Sequence, residues 1–109
     1  MIVYGLHTCP VCTRAVRTLE EAGRDVRLRD IRDEPLDSAE WAGLIAEFGD
    51  RLVDRTGVEW RNLSDWLKHS EAEEQLAAKP RLMVRPVIRD GDSLHLGWTP
   101  EVQAALGVD

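Results

Sequence analysis

The sequence predicts an α/β fold with a four-stranded mixed sheet, its elements ordered βαβ…ββα, and a helical insertion between the two halves. A short apolar run at residues 2–4 is followed by a helical pattern and then by a second, alternating run. That order is typical of a parallel βαβ unit. Near the other end, Asp90 and Gly91 lie between two apolar runs and indicate a β-hairpin. Helical patterns fill the interval from about 37 to 79.

The first strand and helix are joined by a Cys-Pro-Val-Cys motif at residues 9–12, which contains both cysteines of the chain. Its proline is expected at the first helical position, where the missing N–H would have had no partner in any case. Apolar residues then recur at helical spacing until Gly23, a typical helix stop. Alternation of apolar residues with arginines predicts a half-buried second strand over about 26–31.

The insertion begins with a clear helix signal. Asp37 and Glu40 have the spacing of a capping box, in which each side chain bonds the other's backbone N–H. An apolar helical face follows, and Gly49 is expected to end it. Residues 50–63 show no sustained period and are predicted to be irregular.

Two shorter helices are predicted in the rest of the insertion. Residues 63–67 carry a brief apolar helical pattern, and Ser70 with Glu73 is expected to cap the next helix. Trp41 and Trp66 are expected in the core because both fit the helical spacing of their apolar neighbours.

The second half of the sheet is predicted as a hairpin. Strands are expected at 86–88 and 94–96, joined by a turn at 89–92. Thr99, followed by a proline, is then expected to cap a last helix that Gly107 ends.

Composition and charge limit the classes of protein that this chain can be. With 109 residues we expect one domain, residues 1–109, which includes the helical insertion. The net charge of −6 argues against direct, sequence-independent binding to nucleic acid. The chain contains no long uncharged apolar run, so a membrane span is not expected. Its start lacks the basic region of a signal peptide, so a signal peptide is not expected either. We therefore expect a cytoplasmic, monomeric protein.

The cysteine motif predicts redox chemistry. Cys9 is expected at a helix N-terminus, where free N–H groups favour the thiolate, and Cys12 lies one turn further, close enough for a disulfide. Two alternatives are a zinc half-site and a pair of inert thiols. Zinc needs about four ligands, and the remaining candidates, His7, His69 and His95, have no recognised spacing, so no metal is expected. His7 is a loop histidine that would also favour the Cys9 thiolate if protonated.

With its Cys-Pro-Val-Cys motif, this order of elements resembles the thioredoxin fold, and the motif itself resembles that of glutaredoxins. Nearly the whole chain is similar to the arsenate reductase/Spx/YffB family. The segments that carry this resemblance are residues 19–23, 29–31, 34–36, 52–57, 60–61, 80–88 and 97–101.

In arsenate reductases of this family one cysteine attacks the oxyanion and three arginines hold its oxygens. The resemblance implies that Cys9 is the nucleophile and that Arg55 and Arg85 are two of the arginines. The third belongs at 97–99, where this chain reads Gly-Trp-Thr. These reductases also tend to have serine where this chain has Cys12. Both departures move the prediction away from arsenate and toward the Spx and YffB proteins.

The resemblance also implies that Pro86 is the cis-proline that faces the active cysteine in thioredoxin-like folds. The alternative for Pro86 is an ordinary edge-strand proline. Arg85 would bind an anionic substrate or a glutathione carboxylate beside the thiolate, or else be a surface residue. Arg55 lies among neighbouring arginines and would otherwise face water.

The function that we predict is a thiol–disulfide reductase whose Cys9 and Cys12 act on glutathione, a small thiol or an oxyanion. It would bind no cofactor and would be re-reduced by glutathione or a thioredoxin system. The alternative is a Spx-like redox-sensing regulator that binds the C-terminal domain of the RNA polymerase α subunit through a region within 34–49. An arsenate reductase proper ranks third.

Overall fold

Strand β1 (Ile2–Gly5) lies inside a four-stranded sheet in the computed structural model, which describes residues 1–108. It pairs in parallel with β2 (Arg27–Asp30) and antiparallel with β3 (Val87–Asp90). Strand β4 (Ser93–Leu96) pairs antiparallel with β3, which gives the order β2-β1-β3-β4. The predicted fold class, a mixed sheet with a helical insertion between its halves, is confirmed.

Six helices accompany this sheet within the described residues. They are α1 (Pro10–Glu21), α2 (Ser38–Phe48), α3 (Val58–Arg61), α4 (Asp65–Lys68), α5 (Ala72–Ala78) and α6 (Pro100–Ala105). The first joins β1 to β2, the last follows β4, and the other four form the insertion.

One face of the sheet carries the core that supports α1. Val3 of β1, Leu19 of α1, Ile88 of β3 and Leu106 just after α6 form one buried cluster. Since side chains alternate along a strand, Gly5 lies on the same face as Val3. This face therefore brings the end of β1 against the first turns of α1.

The chain divides into two compact units. Met1–Glu34 and the segment from Arg85 onward form the sheet unit, and Pro35–Val84 form the helical unit. The helical unit begins with the predicted capping box, because the Glu40 N–H donates to Asp37 Oδ1 (2.8 Å) and the Asp37 N–H donates to Glu40 Oε1 (3.0 Å). That all residues act as a single domain stays a prediction.

Residues 50–63 are more regular than predicted. A 3₁₀ turn, Gly49–Leu52, follows α2 directly, and helix α3 occupies Val58–Arg61. A helix of four residues is too short to show a repeating apolar period, which is why the sequence pattern did not indicate it.

Two predictions around α4 are wrong. The Ser70 hydroxyl donates to the Trp66 carbonyl (2.8 Å) and so closes α4, while Glu71 stands at the N-cap of α5. Trp66 is 70% exposed instead of buried, whereas Trp41 is in the core as predicted. Because α4 has only four residues, the spacing of its apolar residues does not show which face of the helix is buried. Trp66 borders an open depression of 530 Å³, lined by Asp65, Trp66, His69, Ser70, Glu71 and Glu74.

The predicted hairpin is present, with its turn one residue later than expected. Asp90 pairs with Ser93, so the turn residues are Gly91 and Asp92. Gly91 has φ 61°, which a residue with a Cβ rarely adopts. The glycine therefore takes the first turn position rather than the second.

The longest helix of residues 1–108 has 12 residues and is amphipathic. Within this described part of the chain, none of the helices has the length and apolar character that crossing a bilayer requires.

Candidate active site

Cys9 is the N-cap residue of α1, with extended backbone angles (φ −90°, ψ 115°). Its N–H donates to the Leu6 carbonyl (3.1 Å), which closes the turn after β1, and its carbonyl accepts the Thr13 N–H (3.1 Å), which starts the helix. Pro10 follows at the first helical position, as predicted. The sequence thus places Cys9 where free helical N–H groups point.

The surroundings of Cys9 favour its thiolate. Partial burial of the side chain raises its pKa, and this is the largest single effect. The N–H and S–H of Cys12, the N–H of Val11 and the charge of Arg85 act in the opposite direction. Together they hold the pKa of Cys9 below its ordinary value. Hydrogen bonds to the charged form and a nearby cation are the usual causes of such a shift.

Cys12 has the opposite character. Its side chain is fully buried, and burial raises the pKa of this thiol to about 12 despite a hydrogen bond from the Leu6 N–H. A Cβ added at Gly5 would collide with the Cys12 sulfur, so this thiol occupies space that only glycine leaves open. Both cysteines are free thiols in the structure.

Arg85 and Pro86 belong to the same unit as the cysteines. The charge of Arg85 acts to lower the pKa of both thiols and so favours the thiolate form of each. Pro86 is buried, and the peptide bond between these two residues is cis, as the resemblance implied. Its carbonyl accepts the Gly97 N–H (2.7 Å).

Arg55 belongs to the helical unit. Its guanidinium lies 3.7 Å from an Asp50 carboxylate oxygen and 5.4 Å above the Trp60 ring. An anion-binding role for Arg55 stays a prediction.

Residues 97–99, where the resemblance implies a third arginine, include Trp98. Its side chain is partly buried and packs against the cluster of Val3, Leu19, Ile88 and Leu106. Trp98 is therefore part of the apolar packing of the sheet unit, and it supplies no positive charge.

Asp30 is a buried carboxylate next to the cysteine loop, with only 2% of its surface exposed. Hydrogen bonds from the Arg32 side chain lower its pKa most, and the N–H groups of His7 and Arg32 add to this against the effect of burial. The pKa of Asp30 lies far below its usual range.

His7, Asp30 and Asp33 bring three possible metal ligands within 4.8 Å of one another. Asp30 already accepts four hydrogen bonds, two at each carboxylate oxygen. These leave it little capacity to bind a metal. We assign no metal site to this group.

A model of the glutaredoxin family matches residues 1–63, more than half of the 109-residue chain. The chain belongs to the glutaredoxin family. An uncharacterized protein from Haemophilus influenzae is 34% identical to it over 95% of this chain and 96% of its own length. Glutaredoxin-family membership makes the chain a member of a thiol oxidoreductase family.

Solved structures agree with this relationship. The structure of a YFFB protein superposes on this chain with a TM-score of 0.86 at 25% identity. The match covers 96% of this chain and 96% of the YFFB protein. An arsenate reductase-related protein from Brucella melitensis has a TM-score of 0.75 at 26% identity, over 94% of this chain and 91% of its own. The resemblance predicted from the sequence, to YffB and arsenate reductase-related proteins with a glutaredoxin-like motif, is confirmed.

The arrangement suits a glutaredoxin-family dithiol in which the two sulfurs have different tasks. Cys9 is partly exposed and favours the thiolate, the form that attacks disulfides. Cys12 is buried and burial raises the pKa of its thiol to about 12, so this sulfur is the less accessible and less reactive of the two.

Two residues of this site were not singled out from the sequence. The sequence places Gly5 in the turn after the first strand, and nothing at that position indicates that the Cys12 sulfur, seven residues later, will fill the space beside it. Asp30 was noted only as part of the family resemblance. An aspartate at the end of a predicted strand gives no sign that it is buried, since most aspartates face water.

Proposed function

We propose that this glutaredoxin-family protein is a cytoplasmic thiol–disulfide reductase in which Cys9 is the nucleophile and Cys12 resolves the intermediate. The observation that supports this most directly is the asymmetry of the pair. Cys9 is accessible with a lowered pKa, and Cys12 is inaccessible with a pKa of about 12. A zinc half-site or two inert thiols would not require such a difference.

In the first step the Cys9 thiolate attacks one sulfur of a disulfide R–S–S–R′. A bond forms between Cys9 and RS, and R′S⁻ leaves and takes up a proton. Cys12 then loses its proton and attacks the Cys9 sulfur, which forms the Cys9–Cys12 disulfide and releases RSH. The substrate disulfide is reduced by two electrons and the protein dithiol is oxidised by two.

The reductant that we propose is glutathione, with a thioredoxin system as the alternative. Two glutathione thiols would restore the dithiol and leave as glutathione disulfide. The charge of Arg85 acts on the Cys9 thiolate, and a guanidinium suits a glutathione carboxylate because such pairs form two parallel hydrogen bonds. Oxyanion reduction is a weaker proposal, since residues 97–99, where the resemblance implies a third arginine, read Gly-Trp-Thr.

The test is turnover of a glutathionylated peptide with glutathione as reductant, compared with a thioredoxin system, for wild type and each cysteine variant. Cys12→Ser should accumulate a mixed disulfide between Cys9 and glutathione, and Cys9→Ser should accumulate little. Mass spectrometry of the intact protein identifies the adduct.

Arg17→Ala serves as a surface-charge control on α1. Equal adduct formation in both cysteine variants, or none in either, would contradict the assigned roles.

A further inference from the structure

The peptide unit between Leu6 and His7 is held on both of its sides. Its carbonyl, from Leu6, accepts the Cys9 N–H at 3.1 Å. Its N–H, from His7, donates to Asp30 Oδ2 at 2.9 Å. A peptide unit is planar and nearly always trans, so its N–H and carbonyl point in opposite directions. A contact that fixes the direction of one fixes the direction of the other.

The same stretch of backbone also lies beside the second cysteine, because a Cβ added at Gly5, the residue before Leu6, would collide with the Cys12 sulfur. One short stretch of backbone therefore contacts Cys9 through the Leu6 carbonyl and borders Cys12 at Gly5. Asp30, at the end of β2, is the side chain that fastens this stretch from outside the loop.

We propose that Asp30 is a positioning residue of the dithiol loop, whose bond to the His7 N–H orients the Leu6 carbonyl and so keeps Cys9 at the helix N-terminus. This role rests on the proposed function, since it concerns the same two thiols. Asp30 does not touch the reacting sulfur. Asp30 acts through the backbone of Leu6 and His7, which lies between its carboxylate and Cys9.

Arg32 keeps Asp30 in place for this task. Its N–H donates to Asp30 Oδ1 (2.8 Å), and its guanidinium approaches both oxygens (3.4 Å and 3.2 Å). In Asp30→Asn the single amide oxygen would turn to these donors, because they include a cation. The amide NH₂ would then face the His7 N–H, donor against donor, and the loop would lose its tether.

The sign of the change in the Cys9 pKa separates positioning from simple electrostatics. Removing a negative charge near Cys9 favours the thiolate, so charge alone would lower the pKa of Cys9 in Asp30→Asn. Loss of the tether moves Cys9 away from the N–H groups of Val11 and Cys12, which would raise it. The two effects have opposite signs.

Asp33→Asn is the matched control. Asp33 is an exposed carboxylate of the same cluster, and the same isosteric change removes the same charge there. We expect Asp30→Asn to raise the Cys9 pKa, measured from the pH dependence of alkylation in a Cys12→Ser background. We expect Asp33→Asn to leave it unchanged or lower it. A Cys9 pKa that stays constant or falls in Asp30→Asn overturns the proposal.

A second measurement needs no variant. If Asp30 holds the loop, the His7 amide of the wild type should exchange its hydrogen slowly, near the rate of the buried strand amides. Exchange at the rate of an open loop amide overturns the proposal even if Asp30→Asn fails to fold.

Activity gives a third readout that depends on the proposed function. The rate of reaction with a glutathionylated peptide should fall in Asp30→Asn, by up to about 100-fold if Cys9 is displaced by about 1 Å. If the wild type reduces no disulfide, the proposed function fails, while the pKa and exchange measurements still decide the role of Asp30.

Discussion

Replacing Gly5 with alanine should destabilise the protein because the new methyl group would enter the space of the Cys12 sulfur. The added Cβ would collide with Cys12 Sγ and would lie 3.1 Å from Cys12 Cβ. The cysteine is fully buried and part of α1, so it has little room to move. The end of β1 and the Cys12 thiol would therefore compete for the same space.

The size of the effect follows from two opposing contributions. Glycine within a strand or helix is less stable than alanine by roughly 0.5–1 kcal/mol, so the substitution alone would stabilise. Overpacking in a filled core typically destabilises by about 1–3 kcal/mol. We therefore expect the free energy of unfolding of Gly5→Ala to fall by at most about 2.5 kcal/mol, with the middle of the range at about 1 kcal/mol. In a Cys12→Ala background the sulfur is gone, and the loss should be at least about 1 kcal/mol smaller, within the range typical of contacting pairs.

The assay is urea unfolding under reducing conditions for wild type, both single variants and the double variant. Gly43→Ala is the control, since Gly43 lies in α2 with no heavy atom within 4 Å of an added Cβ. It should gain about 0.5–1 kcal/mol as a helical glycine replaced by alanine. The same loss for Gly5→Ala with and without the Cys12 sulfur would refute the reasoning.

Two further predictions concern the thiolate and its neighbouring cation. Iodoacetamide should modify Cys9 alone in the native wild type, since Cys12 is buried with a raised pKa. Because the pKa of Cys9 is lowered, the rate of its alkylation should reach half of its plateau below pH ~8.5, the pKa of free cysteine. Half-saturation at or above that pH, or modification of both thiols, would be inconsistent with this site. Arg85→Ala should raise the pKa of Cys9 and raise KM for a glutathionylated substrate about 10-fold, from the loss of a charged hydrogen bond worth roughly 1.5 kcal/mol. Unchanged values in Arg85→Ala, equal to those in Arg17→Ala, would make Arg85 structural.

The features that the sequence predicted well are those with a local physical cause. Cys9 is the N-cap residue of α1 because a proline follows it at the first helical position, and Asp37 with Glu40 forms the capping box of α2 because those side chains satisfy neighbouring N–H groups. Each of these helix starts depends on residues within one helical turn, so the local sequence pattern is sufficient to predict it.

The features that the sequence did not indicate depend on contacts between distant segments. Asp30 contacts His7, 23 residues earlier, and no property of either residue alone signals the bond. Trp66 is exposed although its neighbours have helical spacing, because a four-residue helix buries only what its tertiary partners happen to cover. Gly5 is required by the sulfur of Cys12 in the next element, a constraint that appears only when β1 and α1 pack.

Arsenate turnover distinguishes a disulfide reductase from an oxyanion reductase. Reduction of an oxyanion needs positive groups around it because charge develops there in the transition state, and removing one such donor typically costs a factor of about 100 to 1000 in rate. In this chain the charge of Arg85 favours the Cys9 thiolate, and no arginine stands at 97–99, where the resemblance implies a third one. A dithiol needs no such cage. We therefore expect disulfide reduction to exceed arsenate reduction by at least about 100-fold when both are measured with the same reductant.

The regulator alternative is tested in the same series. A redox-sensing regulator would bind the C-terminal domain of the RNA polymerase α subunit, with an affinity that changes when Cys9 and Cys12 form a disulfide. A pull-down with that domain, using reduced protein, oxidised protein and Cys9→Ser, measures this directly. We expect no redox-dependent capture, because the proposed function gives the pair a catalytic role and not a sensing one. Redox-dependent capture together with negligible disulfide turnover would replace the reductase by a regulator. Arsenate reduction as fast as disulfide reduction would show that the missing third arginine does not limit oxyanion chemistry.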